Sequence, residues 1–307
     1  MRTIFLWLIV FLAIFESLIG FTQVVLQGSI GLYKLGEPHL DLLDSTISKT
    51  IVSDGGRLLR AYGTFPHPNI LGAFLLIGLI IFIYLIKNFQ IKSGIIIIFF
   101  ILLLGLTLTF SRAAWLVGGI GLMGFLGYAG LRNRNDFKKN KDIFLIIVLI
   151  IFVLTTIFQW AVFPKLNFSF QEPAINLRLT YLKMGWEIFK ENPILGVGLG
   201  NEVFYAKKSG LFERLGLKQE LQKQPIHNMY LLILSELGLI GLILFLMFIF
   251  LTLKNILKRM ESVIWLTLLG LGLFDHFLWT IPVGQVMFWG IAFCVCSLMD
   301  RMQPSEG

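Results

Sequence analysis

Residues 94–131, GIIIIFFILLLGLTLTFSRAAWLVGGIGLMGFLGYAGL, run for 38 positions with Arg112 as their only charge. At 1.5 Å per residue one continuous helix of that length would reach about 57 Å, nearly twice the ~30 Å hydrocarbon core of a bilayer. The stretch is therefore expected to fold back as a helical hairpin with Arg112 at its tip. Residues 262–299 are as long and carry Pro282 and Gly284 near their midpoint, which predicts a second hairpin. Segments 4–22, 69–86, 143–163 and 228–251 are each long and apolar enough for one crossing. The expectation is an all-α, polytopic helical membrane protein with about eight transmembrane helices, forming one integral-membrane domain over 1–307.

Composition agrees. Of 307 residues 56% are apolar and 14% charged, against roughly 25% charged in an ordinary soluble domain. A disordered chain, a coiled coil, a collagen and a secreted disulfide scaffold are excluded, and a soluble enzyme nearly so. Cys294 and Cys296 are two apart in one apolar segment; on a helix they face nearly opposite ways, so neither a disulfide nor a metal clip is expected. The formal charge of +8 acquires meaning only when sorted by membrane side.

Ten basic residues fall within the 26 positions of three short loops, 87–93, 132–142 and 254–261. These are Lys87 and Lys92; Arg132, Arg134, Lys138, Lys139 and Lys141; and Lys254, Lys258 and Arg259. All three loops share one side of the eight-span arrangement, which the positive-inside rule makes cytoplasmic together with both termini. The long loops 23–68 and 164–227 and the two hairpin tips then lie outside. Segment 4–22 is read as a span, not a signal peptide, because no small-residue cleavage pattern follows it and Glu16 interrupts it. The cytoplasmic loops are too short for a nucleotide-binding domain. A synthetic reaction at the outer face has to draw on a donor already activated and carried in the membrane.

The 164–227 loop is the most informative. Residues 174–191 place Leu177, Tyr181, Met184 and Ile188 on one helical stripe, and Asn192-Pro193 stops the helix. Trp186, Phe189, Lys183 and Lys190 suit a helix lying at the membrane interface. Gly196, Gly198 and Gly200 follow. A dinucleotide fingerprint would place its third glycine at 201, where Asn201 stands, so a close-packed turn is expected instead. Residues 201–224 are polar and mixed in charge, which suggests another surface helix.

Several side chains invite both a functional and a plain reading. Arg112 and Arg178 either snorkel to headgroups and solvent or pair with phosphate oxygens, which guanidinium does bidentately; Arg60 is a third such cation. His227, before Asn228 at the start of the sixth span, either hydrogen-bonds a nearby carbonyl or acts as a general base near neutral pH. His67, between Pro66 and Pro68 and ahead of Asn69, fits the geometry of a helix start. Glu236 is read as securing helix packing beside Gly238 and Gly241, on the face opposite His227. Asp275 and His276 are able to face the cavity that His227 faces. Asp41 and Asp44 lack neighbours to complete an oxygen-ligand set, so no metal site and no cofactor are expected.

Four stretches together resemble the O-antigen ligase family, which includes related lipid-linked polysaccharide polymerases. They are RAYGTFPHPNILG (60–72), TFSRAAW (109–115), the run from Arg178 through NPILGVGLGN (192–201), and PIHNMYL (225–231) with ELG (236–238). The resemblance covers roughly residues 25–290. It implies a metal-independent membrane glycosyltransferase of the GT-C type, which transfers a glycan from a polyprenyl-diphosphate carrier to an acceptor hydroxyl at the outer face of the plasma or inner membrane. Arg112 and Arg178 match the arginines implicated at the diphosphate, and His227 the histidine that activates the acceptor. Arg60, His67, Asn69, Asn228 and Tyr181 are the candidate substrate-binding residues. The implied partners are the lipid-linked glycan donor, a glycan or lipid acceptor and membrane lipid, with no nucleic acid. Family members carry around a dozen spans, so eight implies that N-terminal spans are lacking. Within the family, ligase and polymerase differ in acceptor. A transporter, which calls for an inverted repeat and mid-membrane polar groups, and a non-catalytic scaffold are the readings from other classes.

Overall fold

In a bilayer each backbone polar group has to be satisfied within the protein, so long apolar runs become helices. The computed structural model describes residues 2–86, 89–90, 92–132, 134–166, 173–256 and 261–300. Lys87, Lys258 and Arg259 lie outside these, as do the side chains of Cys294 and Cys296. The chain divides into two compact units, Met1–Asn167 and Phe168–Gly307.

Unit 1 contains α1 (Arg2–Leu26), α2 (Pro68–Ile86), α3 (Ser93–Leu108), α4 (Arg112–Arg132), α5 (Arg134–Ile157) and α6 (Gln159–Leu166). Most of α2 is buried, and α1, α3 and α4 pack around it. Small residues allow the close approach: Gly78 lies against Ala13, and Gly105 against Ser17. Ile4, Phe5, Leu8, Phe11, Phe15 and Leu18 on α1 are exposed, as expected of a surface wetted by lipid. Helix is interrupted within 94–131 at residues 109–111, just ahead of Arg112.

Two expectations need correction here. The described residues of 132–142 are helical where a loop is expected: Arg132 ends α4 and Arg134 begins α5, because basic residues are good helix formers and extend the helix beyond its apolar part. The segment 143–163 is not one straight helix either; α5 ends at Ile157 and the chain turns by 100° into α6. Within 23–68, β1 (Lys49–Ile51) pairs antiparallel with β2 (Arg57–Leu59), Lys49 opposite Leu59. Beyond this hairpin, Ser53 donates from its amide (2.8 Å) and its hydroxyl (2.7 Å) to the Trp160 carbonyl in α6.

Unit 2 contains α7 (Pro173–Glu191), α8 (Glu202–Lys208), α9 (Leu211–Arg214), α10 (Met229–Ile256), α11 (Glu261–Gly272), α12 (Phe277–Thr280) and α13 (Pro282–Asp300). Tyr181, Met184 and Ile188 of α7 are buried with Ala206, Leu211, Phe212, Ile226 and Leu232. The stripe predicted for α7 thus packs on protein, while Trp186 on another face stays exposed. Residues 201–224 form α8, α9 and a short 3-10 turn at Glu220–Gln222 instead of one helix; Gly210 and Gly216 at positive φ interrupt them. The break in 262–299 spans residues 273–281, ahead of Pro282, which is the first residue of α13. Proline is well accommodated there because the first turn of a helix has no intrahelical acceptor for its missing N–H.

Thr3–Leu26, Pro68–Ile86 and Met229–Lys254 are each long and apolar enough to cross a bilayer, and the bent pair Lys141–Ile157 and Gln159–Leu166 makes a fourth if it is one span. The arms of the two hairpins, Ser93–Leu108 with Arg112–Phe125 and Ser262–Gly272 with Pro282–Phe293, are shorter apolar helices.

The most unusual element is α10. It is broken at Gly238, whose backbone (φ +65°, ψ −166°) is far from helical. The break frees carbonyls below it and amides above it, and the glycine-rich loop satisfies both sets. Val197 N donates to Ser235 O (3.0 Å) and Gly198 N to Glu236 O (2.8 Å). Leu239 N donates to Pro193 O (2.9 Å) and Ile240 N to Ile194 O (3.4 Å). Backbone that departs from helix at membrane depth survives where protein or a water-filled cavity supplies such partners.

Candidate active site

In unit 2 the site is assembled around the start of α10. Asn228 caps the helix: its Oδ1 accepts from Leu231 N at 2.9 Å, the arrangement that satisfies an orphan amide in the first turn. Its amide nitrogen donates to Leu273 O at 2.9 Å. That second bond ties the end of α11 to the start of α10 and carries Asp275 and His276 to His227.

His227 has a defined tautomer. Its Nδ1 lies 2.9 Å from Pro225 O, and a carbonyl only accepts, so Nδ1 carries the proton and Nε2 keeps its lone pair. The ring stacks on Tyr181 (centroids 5.0 Å apart, 8° between planes) and meets His276 edge-on at 4.9 Å. Tyr181 is itself fully buried and donates its hydroxyl to Gln222 O at 2.8 Å. Burial pushes the His227 imidazole below its ordinary pKa, with the Asp275 charge opposing and the Arg178 charge reinforcing the shift. Arg178 reaches His227's surroundings because it sits three residues before Tyr181 on the same face of α7.

Asp275 Oδ1 accepts from His276 N at 2.8 Å, and His276 Nδ1 shares a 2.6 Å hydrogen bond with the Thr280 hydroxyl. One ligand-type atom from each of His227, Asp275 and His276 lies within 4.8 Å of the other two. Such a set is capable of holding a cation, a possibility that spacing in the sequence did not bring out.

In unit 1 the candidates form a different arrangement. Arg60 is buried and spends its fork on the protein: Nε donates to Thr109 O (2.7 Å), one terminal nitrogen to Ser48 Oγ (2.8 Å) and the other to Asn69 Oδ1 (2.8 Å). With Ala61 N donating to Leu108 O (2.9 Å), the 60–61 segment clamps the hairpin tip. Arg112, half-buried, opens α4 immediately after that tip. His67 stands at the start of α2, its Nδ1 accepting from Asn69 N at 3.1 Å. Glu16 accepts from Thr64 N (2.8 Å) and from its hydroxyl (2.6 Å), and Gln23 accepts from the Tyr62 and Gly63 amides and donates to the Gly63 carbonyl.

Among the predicted site residues, His227, Arg178, Tyr181 and Asn228 gather within unit 2, and Arg60, Asn69, His67 and Arg112 surround the hairpin tip and the start of α2 in unit 1. Glu202 and Glu236 went unrecognised as site candidates. The signal was present in their positions: each carboxylate borders one of the two segments, the glycine-rich loop and the Gly238 break, that pair with each other.

Fold and site define a multi-pass helical membrane protein with a histidine-centred polar site built at the start of a broken helix. A sequence model for O-antigen ligase matches residues 97–246, a stretch that contains Arg112, Arg178, Tyr181, His227 and Asn228. The match supports assignment to the O-antigen ligase family, a group of ligases and polymerases concerned with cell-surface polysaccharide. No curated protein and no solved structure matches the chain.

Proposed function

We propose that the protein transfers a glycan from a polyprenyl-diphosphate carrier to an acceptor hydroxyl at the outer face of the plasma or inner membrane, with both termini in the cytoplasm. The observation that carries the reading is His227, held by the Pro225 carbonyl as the tautomer whose Nε2 accepts a proton. Burial keeps that imidazole neutral near pH 7, the form a general base requires.

The reaction is an inverting displacement. The acceptor O–H gives its proton to His227 Nε2 while its oxygen forms a bond to the anomeric carbon. The bond from that carbon to the diphosphate oxygen breaks, and the leaving polyprenyl diphosphate takes the electron pair. Arg178 neutralises the charge that builds on the diphosphate; Arg112 has the same role by its match to the family motif. Guanidinium groups make a metal unnecessary for that step. The surplus of basic residues in the short loops supports the orientation.

The test is transfer of a lipid-linked glycan by the protein reconstituted in proteoliposomes. His227→Ala and Arg178→Ala are expected to lose at least ~100-fold in rate, and a chelator to change nothing. Full activity in both variants would remove the assignment. Loss of activity with chelator would transfer the role of His227 to the three-ligand set with Asp275 and His276. A product lengthened on the donor glycan, in place of one attached to a lipid core, identifies the polymerase form of the same chemistry.

A further inference from the structure

A cavity of about 440 Å³ lies in unit 2, bordered by Glu202, Glu236, Trp279, Thr280, Gln285 and Trp289. It is of a size that takes small-molecule ligands. Two of its wall residues also bound the histidine cluster: Pro225, whose carbonyl fixes His227, and Thr280, which bonds His276.

The walls are preorganised. Trp279 Nε1 donates to Glu236 Oε2 at 2.9 Å, and Gln285 Nε2 donates to Trp279 O at 2.6 Å. Glu202 is different. It is only 1% exposed, and its Oε1 has no hydrogen-bond partner among the described residues. A buried carboxyl oxygen left unsatisfied is destabilising, and a ligand hydroxyl in the cavity would satisfy it.

The wall chemistry selects the ligand. Among the described residues no basic side chain borders the cavity, so it does not suit the diphosphate. Two carboxyls, an amide and a hydroxyl offer hydrogen-bond partners, and two indoles offer flat apolar faces. That combination fits a ring with hydroxyls at its edge and C–H groups on its face. We propose that the cavity is a subsite for an uncharged pyranose of the glycan, with Trp279 and Trp289 against the ring and Glu202, Glu236 and Gln285 taking its hydroxyls. The choice of a sugar rests on the transferase reading above. Burial and the neighbouring Glu236 carboxyl push the Glu202 carboxyl up to about 8, so near neutral pH it both donates and accepts.

Saturation-transfer NMR on the full chain in lipid nanodiscs tests this without requiring turnover. The probes are glucose, galactose and N-acetylglucosamine, with glucuronate and choline for comparison. At least one neutral sugar is expected to bind, and glucuronate and choline at least tenfold more weakly. Trp289→Ala, at a half-exposed position that tolerates truncation, and Glu202→Ala should each weaken sugar binding at least tenfold. Glu202→Gln, which keeps a neutral donor and acceptor, should stay within about threefold. Absence of sugar binding, equal binding by both alanine variants and the parent, or preference for choline or glucuronate would overturn the subsite. His227→Ala separates the two ideas: if it still transfers glycan while the sugars bind as predicted, the transferase mechanism fails and the subsite stands.

Discussion

Gly196 and Gly238 are packed backbone to backbone: a Cβ on Gly196 would overlap the Glu236 carbonyl, and one on Gly238 would overlap the Ile194 carbonyl. Each glycine is therefore required twice, for its positive φ and for the space its missing side chain leaves. Gly238 sits in a backbone region essentially closed to other residues.

Gly238→Ala and Gly196→Ala should each lose about 3 kcal/mol or more, a fall of roughly 6–12 °C in melting temperature. Gly210 has φ +68° but nothing within 4 Å of its Cβ position, so Gly210→Ala should lose only about 1–2 kcal/mol. Differential scanning fluorimetry in detergent measures all three. Equal, small losses would mean that the loop and the break do not hold each other.

That pairing also marks where the sequence stops being legible. Helices were readable because a bilayer leaves apolar backbone few alternatives, and the first hairpin was readable from length alone. The break in α10 was not, because its cause lies some forty residues earlier, in the loop that supplies the missing partners. Treating the sixth span as one straight helix beginning at His227 placed Glu236 on the opposite face. In the structure His227 precedes the helix and Asn228 caps it, so that angular argument does not apply. His227 and Arg178 stood out by residue type. The arrival of Asp275 and His276 depends on one tertiary hydrogen bond, Asn228 to Leu273, which no spacing reveals.

By residue type Arg60 suits a phosphate, and the structure gives its donors to Thr109, Ser48 and Asn69. It acts as a positioning residue for the tip that precedes Arg112. Lysine cannot reach three acceptors that lie around a planar fork. Arg60→Lys should cost about 2–4 kcal/mol, whereas Arg57→Lys, at an exposed position on β2, should leave the melting temperature within ~1 °C. Thermal melts of both variants decide it; equal, unchanged melts would mean that the clamp contributes nothing.

The stack of Tyr181 on His227 predicts a split between two variants. Tyr181→Phe keeps the ring and loses the bond to Gln222, about 1 kcal/mol, with glycan transfer near the parent rate. Tyr181→Ala removes a fully buried ring, about 3–5 kcal/mol, and frees the imidazole to turn, so kcat should fall at least ~10-fold. If kcat falls equally in both, the hydroxyl matters to His227 and the stack does not.

Burial lowers the His227 pKa from its ordinary 6.5. More than half of the base is then neutral at pH 6.5, and the acid limb of the transfer rate should have its midpoint below that pH. A pH–rate profile in proteoliposomes measures this. An acid limb with its midpoint above 6.5 would contradict the burial argument, and a limb that survives in His227→Ala would belong to another group.

Glu202 supplies the opposite sign. Its folded carboxyl is pushed up to about 8, against an ordinary 4.5, so the folded state keeps a proton that the unfolded chain releases. The contribution to stability is fully present below pH 4.5 and is lost as pH rises through about 8, at up to about 1.4 kcal/mol per pH unit. Gln at the same position has no proton to lose. Glu202→Gln and the parent should therefore melt together at pH 4, and the variant should melt higher by several degrees at pH 8.5, roughly 2–4 °C for each kcal/mol. Parallel melting curves across that range would mean that Glu202 is ionised in the folded protein, with its charge balanced by a partner in the cavity.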